Sequence, residues 1–311
     1  MVKTPILFAT FARPEYARLT FAAIKKAKPE KLYFYSNKAR EGNLKELERN
    51  NEVRALVNEI DWECDVKTYY RLEYVDIYES LFGAYDWIFE NEEQAIILEE
   101  DCVPSLAFFD FCDQLLPKYK LDQRIWHISG NNFIEGYNPS GYDYIFSPFA
   151  YQYGWASWRN RWQKMIRTGI DVNEIVKSNL YQQIYSNRSA VKAINRRLKR
   201  IKTEDGLWKI DAWDYMFQMT MRVNGGFGIV PLRNLVSNIG KYGEHNSGGT
   251  IFNNWEISDN EKYIIDKHPV FIVSDARYTN KFYKKIAKKD NTSFLLRVYR
   301  FIIRKTLSIW K

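Results

Sequence analysis

Ala95-Ile96-Ile97-Leu98-Glu99-Glu100-Asp101-Cys102-Val103-Pro104 decides how the rest of the chain is read. An apolar run gives way at once to three carboxylates, and no strand interior holds three adjacent charges. The stretch therefore predicts a buried strand whose end opens into a cleft. Side chains alternate along a strand, which puts Glu99 and Asp101 on one side and Glu100 on the other, with Val103-Pro104 stopping the strand. Two convergent hard oxygen donors suit Mg²⁺ or Mn²⁺. A solvated loop start has the same composition, so the flanks must decide.

Outward from this run, strands and helices alternate. Pro5-Ile6-Leu7-Phe8-Ala9-Thr10 predicts a second buried strand. Phe11-Ala12-Arg13-Pro14-Glu15 turns it into a helix, with Pro14 in the first turn, Glu15 matching the helix dipole and Arg13 at the top of the strand. Lys31-Leu32-Tyr33-Phe34-Tyr35-Ser36 is strand-like and runs into a polar loop that starts at Asn37. Apolar spacing predicts helices over 44–60, 75–89 and 106–119, and strands over 65–70 and 125–129. Helices of this length between strands predict an α/β domain with a mostly parallel central sheet flanked by helices.

Past Gly130 the character changes to Asn, Gly, Pro and Tyr, which predicts site-forming loop up to Ser147. Trp155, Trp158 and Trp162 follow, interleaved with Arg159 and Arg161, as either core or a binding platform. Residues 171–200 read as helical and increasingly basic, a solvated face. Another helix opens near Lys209, with Asp211 placed as an N-cap and Asp214 three residues on. Residues 241–249 combine Lys241, His245 and several glycines, which predicts a mobile loop able to fold over an anion.

The chain has 311 residues, 16% of them aromatic, enough for a substantial core, and no long hydrophobic stretch marks a signal peptide or membrane span. Cys64, Cys102 and Cys112 show neither disulfide nor zinc spacing, and the expected location is cytoplasmic. A net charge of +8 calls for an anionic partner: nucleotide, acidic lipid or nucleic acid. Nucleic acid ranks last, because the basic residues cluster in the tail and one helix without a recognition motif.

In order, the strand-turn-helix at Pro5 to Pro14, Ile96-Ile97-Leu98-Glu99-Glu100-Asp101, Phe108-Phe109-Asp110-Phe111-Cys112, Gly154-Trp155-Ala156-Ser157-Trp158, Trp213-Asp214 and Asn234-Leu235-Val236-Ser237-Asn238-Ile239-Gly240 resemble a known family. These pieces are similar to bacterial nucleotide-sugar glycosyltransferases of the GT-A fold, distantly like N-acetylglucosaminyltransferase I. The resemblance implies a catalytic domain over 1–273, with a nucleotide-sugar-binding half (1–130) and an acceptor-binding half (131–273). It implies a nucleotide-diphosphate donor, UDP-sugar favoured, with Asp101 holding a Mn²⁺ or Mg²⁺ that bridges the diphosphate. Glu100 replaces the family's middle Asp, and Asn37 stands where the family has an Asp that accepts from the uracil N3–H. Asp214 matches the family's general base for an inverting transfer, with Asp211 the alternative.

Glycosyl transfer needs a stabilised departing diphosphate and a base for the incoming hydroxyl on the opposite face of the sugar. Arg13, Lys241 or His245 are candidates to add positive charge near the leaving group, Arg13 first among them. The competing expectation is a catalytically inactive nucleotide- or glycan-binding assembly subunit.

Residues 274–311 form a separate basic, amphipathic segment. On a helix, Arg297, Arg300, Arg304 and Lys311 share one narrow face and most of the remainder is apolar, ending at Trp310. This is expected to lie on an anionic membrane, or alternatively to pack on protein. Membrane attachment would make the acceptor a lipid-linked glycan or lipopolysaccharide intermediate at the inner face of the cytoplasmic membrane.

Overall fold

The computed structural model describes residues 1–134, 137, 141–167, 171–180, 182, 191, 203–207, 213–240, 242–243, 246–247, 257 and 262–285. Two compact units share the chain: Met1–Ile170 with Lys209–Ser274, and Asp171–Trp208 with Asp275–Lys311. The sequence division at 273 did not anticipate that 171–208, with its basic composition, would leave the sheet-bearing unit.

The first unit opens with β1 (Ile6–Thr10), α1 (Pro14–Ala27), β2 (Lys31–Ser36), α2 (Leu44–Ala55), a short 3₁₀ turn (Leu56–Glu59) and β3 (Asp65–Tyr70). α3 (Ile77–Asn91), β4 (Gln94–Glu99), β5 (Cys102–Pro104), α4 (Leu106–Tyr119) and β6 (Ile125–Ser129) follow. After β7 (Tyr144–Ser147), β8 (Trp155–Trp158) and the single turn α5 (Arg159–Trp162), the sheet is completed by β9 (Phe227–Pro231). The eight strands lie in the order β3-β2-β1-β4-β8-β6-β9-β7.

The sheet is mixed. Four neighbouring pairs are parallel, and three are antiparallel because β8 and β7 run against the others. Local sequence hid β8, since Trp-Ala-Ser-Trp reads as an aromatic cluster. Its alternation is nevertheless that of a strand buried on both faces. Trp158 and Ala156 enter the core beside Ile96, Leu98 and Phe108, whereas Trp155 faces Tyr85 at 5.5 Å on the opposite side.

That alternation divides the helices. Ile6, Phe8, Leu32, Phe34, Ile96 and Leu98 meet the buried stripes of α1 and α4. On the other face Tyr33 packs edge-on to Trp87 of α3 at 4.9 Å. Trp155 stacks at 5.5 Å on Trp213, the first residue of α6 (Trp213–Val223) in this unit. Both Trp155 and Trp158 are buried, and so is Arg161. The Arg161 guanidinium donates to the carbonyls of Tyr119 (2.9 Å), Lys120 (2.8 Å), Asp122 (2.9 Å) and Ile125 (3.0 Å), so it closes the α4-to-β6 turn. Trp155, Trp158, Trp162 and Arg161 are core, not a binding platform, and Arg159 is half-buried.

Val103-Pro104 ends β4's direction but not extended structure. β5 pairs antiparallel with β10 (Val236–Asn238), a second small sheet. Val236 presses against Gly154, whose φ of +71° and lack of a Cβ are both required, because a Cβ would lie 2.7 Å from Val236 Cγ2.

In the second unit, the helical turns Val172–Lys177 are capped by Asp171, which accepts from Asn173 N (2.7 Å) and Glu174 N (3.1 Å). Residues 276–285 are helical, burying Tyr278, Phe282 and Tyr283. Among the described residues no helix is long and apolar enough to cross a membrane. The apolar C-terminal stretch 291–311 lies outside the described residues.

Candidate active site

β1 pairs with β2 on one side and β4 on the other, all parallel, so the strand order reverses at β1. Open parallel sheets bind ligands at the carboxyl ends of strands flanking such a reversal. A cleft of about 870 Å³ opens there, lined by Thr10 and Phe11 after β1, Asn37 after β2, and Glu99, Glu100, Asp101 and Gly240. Its size is in the range of small-ligand pockets.

Strand alternation holds through Glu99 and then fails, because residues 100–101 form a turn. Glu99 points toward α3, where Tyr85 Oη donates to it at 3.1 Å. Glu100 goes to the α1 side and ties down the β1–α1 turn. It accepts from Phe11 N (2.8 Å) and Arg13 Nε (2.5 Å), while its carbonyl accepts from Thr20 Oγ1 (2.9 Å). Asp101 does not simply share Glu99's side: Arg13 Nη1 lies 2.9 Å from Asp101 Oδ2, so one guanidinium spans both turn acids. Burial works against the Arg13 charge, but Asp101 and then Glu100 outweigh it and push its pKa up. Glu99 has no such partner, and burial followed by repulsion from Asp101 raises its carboxyl to about 8.

Asp101 is also held from behind. Its carbonyl accepts from Ile239 N (2.9 Å), and Asn238 Nδ2 approaches Oδ1 at 3.5 Å. Gly240 matters more: a Cβ there would lie 2.2 Å from Asp101 Oδ2. The missing side chain is what lets the Asp101 carboxylate lie against this residue, where Arg13 meets it.

Glu99 and Asp101 are hard oxygen donors of the kind a divalent ion takes, and both line the cleft. No group of three His, Cys, Asp or Glu side chains is arranged as a metal cage among the described residues. The protein supplies a partial set of the kind that phosphate oxygens and water complete.

Asn37 lines the cleft, yet its carboxamide is spent on framework. Nδ2 donates to Val75 O (2.8 Å), and Oδ1 accepts from Lys38 N (2.9 Å) and, more weakly, Val75 N (3.4 Å). It fixes the wall rather than offering a free acceptor. Asn50, buried in α2, helps by donating to Phe11 O (2.6 Å) and Asn37 O (2.9 Å).

Asp214 sits exposed in the first turn of α6, with Oδ1 accepting from Tyr215 N at 2.8 Å. Its charge adds to those that raise the Glu99, Tyr85 and Tyr153 pKa values, after burial in each case, so it belongs to the electrostatic surroundings of the acid cluster. Asp211, Lys241 and His245 lie outside the described residues. Nearby, the backbones of Tyr242–Gly243 and Asn246–Ser247 pair as a two-residue hairpin.

Sequence reading assigned no role to Tyr85 and Tyr153 at the acids or to Arg40, Lys45 and Arg49 along the cleft, and it took Gly240 only as the end of the Asn234–Gly240 motif. Only the basic spacing of Arg40, Lys45 and Arg49 was visible in advance; the tyrosines are brought in by tertiary packing.

No family model matches the chain, and no curated protein matches it. Among solved structures it is similar to UDP-glucose pyrophosphorylase complexed with UDP-glucose, at 10% identity over 53% of this chain and 79% of that one, with a TM-score of 0.32. It is similar to apo UDP-glucose pyrophosphorylase at 8% identity, 76% and 93% coverage and a TM-score of 0.38. The glycosyltransferase GlyE of Streptococcus pneumoniae TIGR4 matches at 12% identity over 71% of this chain but only 44% of its own length, with a TM-score of 0.32. Likenesses of this degree assign no activity, and the functional reading rests on the chain's own side chains.

Proposed function

We propose that this protein transfers a hexosyl or N-acetylhexosaminyl group from a nucleotide-diphosphate donor, UDP-sugar favoured, to a hydroxyl of a glycan or lipid-linked acceptor in surface polysaccharide assembly. The observation that carries the proposal is the Arg13–Glu100–Asp101 cluster, its two acids buried and its guanidinium partly exposed, with Glu99 beside it, at the carboxyl ends of strands where the sheet order reverses. Cation and carboxylates placed together in one crevice suit a phosphorylated ligand that arrives with a divalent metal.

Arg13 is positioned to hold the diphosphate, and the N-terminal turn of α1 lines the same cleft, where helix amides favour anions. Glu99 and Asp101 are the residues that would hold Mn²⁺ or Mg²⁺. That ion would supply Lewis-acid neutralisation of the leaving diphosphate. Asp214 would take the proton of the acceptor hydroxyl, giving inversion at the sugar carbon. Its exposure suits a group that meets a large acceptor. The basic C-terminal segment on an anionic membrane surface completes the proposal, with lipid-linked acceptors within its reach.

Thermal melting with a panel of nucleotide sugars, with and without Mn²⁺, tests it. The expected result is metal-dependent protection, about 2.7 kcal/mol at a ligand concentration roughly a hundredfold above Kd. Absence of any metal-dependent protection at millimolar nucleotide sugar would end the proposal. Asp214→Asn should keep that protection and lose transfer by roughly two to four orders of magnitude. Protection without transfer in the wild-type protein, across a broad acceptor panel, would favour the inactive binding subunit.

A further inference from the structure

We propose that β3, the outer strand of the large sheet, pairs antiparallel with β3 of a second copy of this chain, so that two sheets join into one. β3 ends the strand order, and all six of its residues pair in unbroken register with β2. Asp65 N donates to Glu30 O (2.9 Å) and Arg71 N to Ser36 O (3.0 Å). Alternation therefore turns the main-chain groups of Asp65, Lys67, Tyr69 and Arg71 toward β2, and those of Val66, Thr68 and Tyr70 outward. Among the described residues, no bond is made to the outward N–H and C=O groups of those three. Thr68 and Tyr69 are exposed, so no other element lies over them. Proline and bulges, which commonly blunt an edge, are absent from this strand. Such an edge is a template for another strand.

Charge selects the occupant and the register. An antiparallel pair sets outward residues opposite outward residues, which here means Val66, Thr68 and Tyr70 on both copies. With the two-fold axis at Thr68, that residue faces itself, Val66 faces Tyr70, Lys67 faces Tyr69 and Asp65 faces Arg71. The whole strand is used and no like charges meet. Sliding one copy by two residues sets Lys67 opposite Lys67 in one direction and opposite Arg71 in the other, and like charges across strands are unfavourable. The favoured register also suits how these side chains already sit. Lys67 Nζ lies over the Tyr33 ring at 5.4 Å, and Tyr69 is held edge-on by Tyr35 and Trp87, both at 5.5 Å. Arg71 stays bonded to Tyr35 Oη (2.6 Å), which leaves a positive group across from Asp65. A strand complementary to itself fits a second copy, and the inference is independent of the sugar-transfer reading.

Sedimentation of the full-length protein at about 1 to 100 µM tests it. The wild type should form a dimer in that range. Thr68→Pro removes an outward N–H and no bond to β2, so the sheet should survive while the dimer Kd rises at least about tenfold. Thr68→Lys sets two like charges opposite at an exposed position and should weaken the dimer similarly. A single cooperative melt in each variant shows that the fold is kept. Thr68→Cys reports on register: opposite Cα atoms in such a pair lie about 5.5 Å apart, within disulfide reach. Mild oxidation should link Thr68→Cys into covalent dimers, and should link neither Val66→Cys nor the wild type. A wild type that stays monomeric overturns the proposal, as does a folded Thr68→Pro or Thr68→Lys protein that dimerises as the wild type does. Linkage through Val66→Cys and not Thr68→Cys overturns the register.

Discussion

Asp101 carries more of the proposed chemistry than any other side chain, and two substitutions probe it in different ways. Asp101→Ala removes the carboxylate that Arg13 and Gly240 frame, so Mn²⁺-dependent protection by nucleotide sugar should fall by at least about tenfold in apparent affinity, of the order of 1.4 kcal/mol. Near-wild-type affinity in Mn²⁺ would take the ion away from Asp101. Gly240→Ala leaves every charge in place and adds one methyl group that would lie 2.2 Å from Asp101 Oδ2. The acid must turn away, so metal-dependent protection should drop as it does for Asp101→Ala, with about 1–3 kcal/mol of overpacking cost in the unliganded protein. Melting curves with and without Mn²⁺ separate the two effects. A Gly240→Ala protein with full protection would show that Asp101 Oδ2 is not the oxygen that matters. Asp101 is legible in sequence as a candidate, since three acids follow a buried apolar run, although a solvated loop start has the same composition and only the flanks favour a site. Gly240 is not, because its role depends on a chain segment more than a hundred residues away folding back over the acid.

The N-terminal elements were legible because hydrophobic period and turn chemistry agree along that half. Pro14 stands in the first turn of α1, Asp76 caps α3 through Tyr78 N and Glu79 N (both 2.9 Å), and unbroken apolar runs mark β1, β2 and β4. β8 escaped because its pattern of bulky and small residues carries no polar face, and no local signal says that a buried four-residue run will pair antiparallel with β4. Arg161 shows the same limit at one position. An arginine among tryptophans suggests ligand contact, yet this one is fully buried and saturates the carbonyls that end α4, with burial lowering its pKa to about 10. Arg161→Met fills similar space and leaves those carbonyls without donors, at a cost of about 3–5 kcal/mol. The expected reading is a Tm lower by about 10 °C, with the nucleotide-sugar increment in Tm preserved. A stable variant that lost the increment would return Arg161 to the binding surface.

Charge and burial set how the whole molecule responds to pH. The sheet-bearing unit, 1–170 with 209–274, holds 27 Lys or Arg against 32 Asp or Glu, a net −5, so its self-repulsion at neutral pH is modest. His127, in the middle of β6, changes this on acidification. It is fully buried and stacked on Trp155 at 5.5 Å, with Phe217 at 6.0 Å, and neither ring nitrogen has a hydrogen-bond partner. Burial alone lowers its pKa from the ordinary 6.5 to about 3. Between those values the unfolded chain binds a proton that the folded chain refuses. Stability is therefore complete above about pH 6.5 and falls by up to about 1.4 kcal/mol per pH unit below it, until the folded pKa is reached. Carboxylates add their own acid dependence, so the measurement is a comparison. His127→Phe keeps an aromatic ring between Trp155 and Phe217 and removes both nitrogens. Urea unfolding of both proteins at about pH 7, 6 and 5 should show the variant gaining on the wild type, by roughly 2 kcal/mol at the lowest pH. A constant difference across that range would mean that His127 is protonated in the folded protein, and that the β6 side of the sheet admits water.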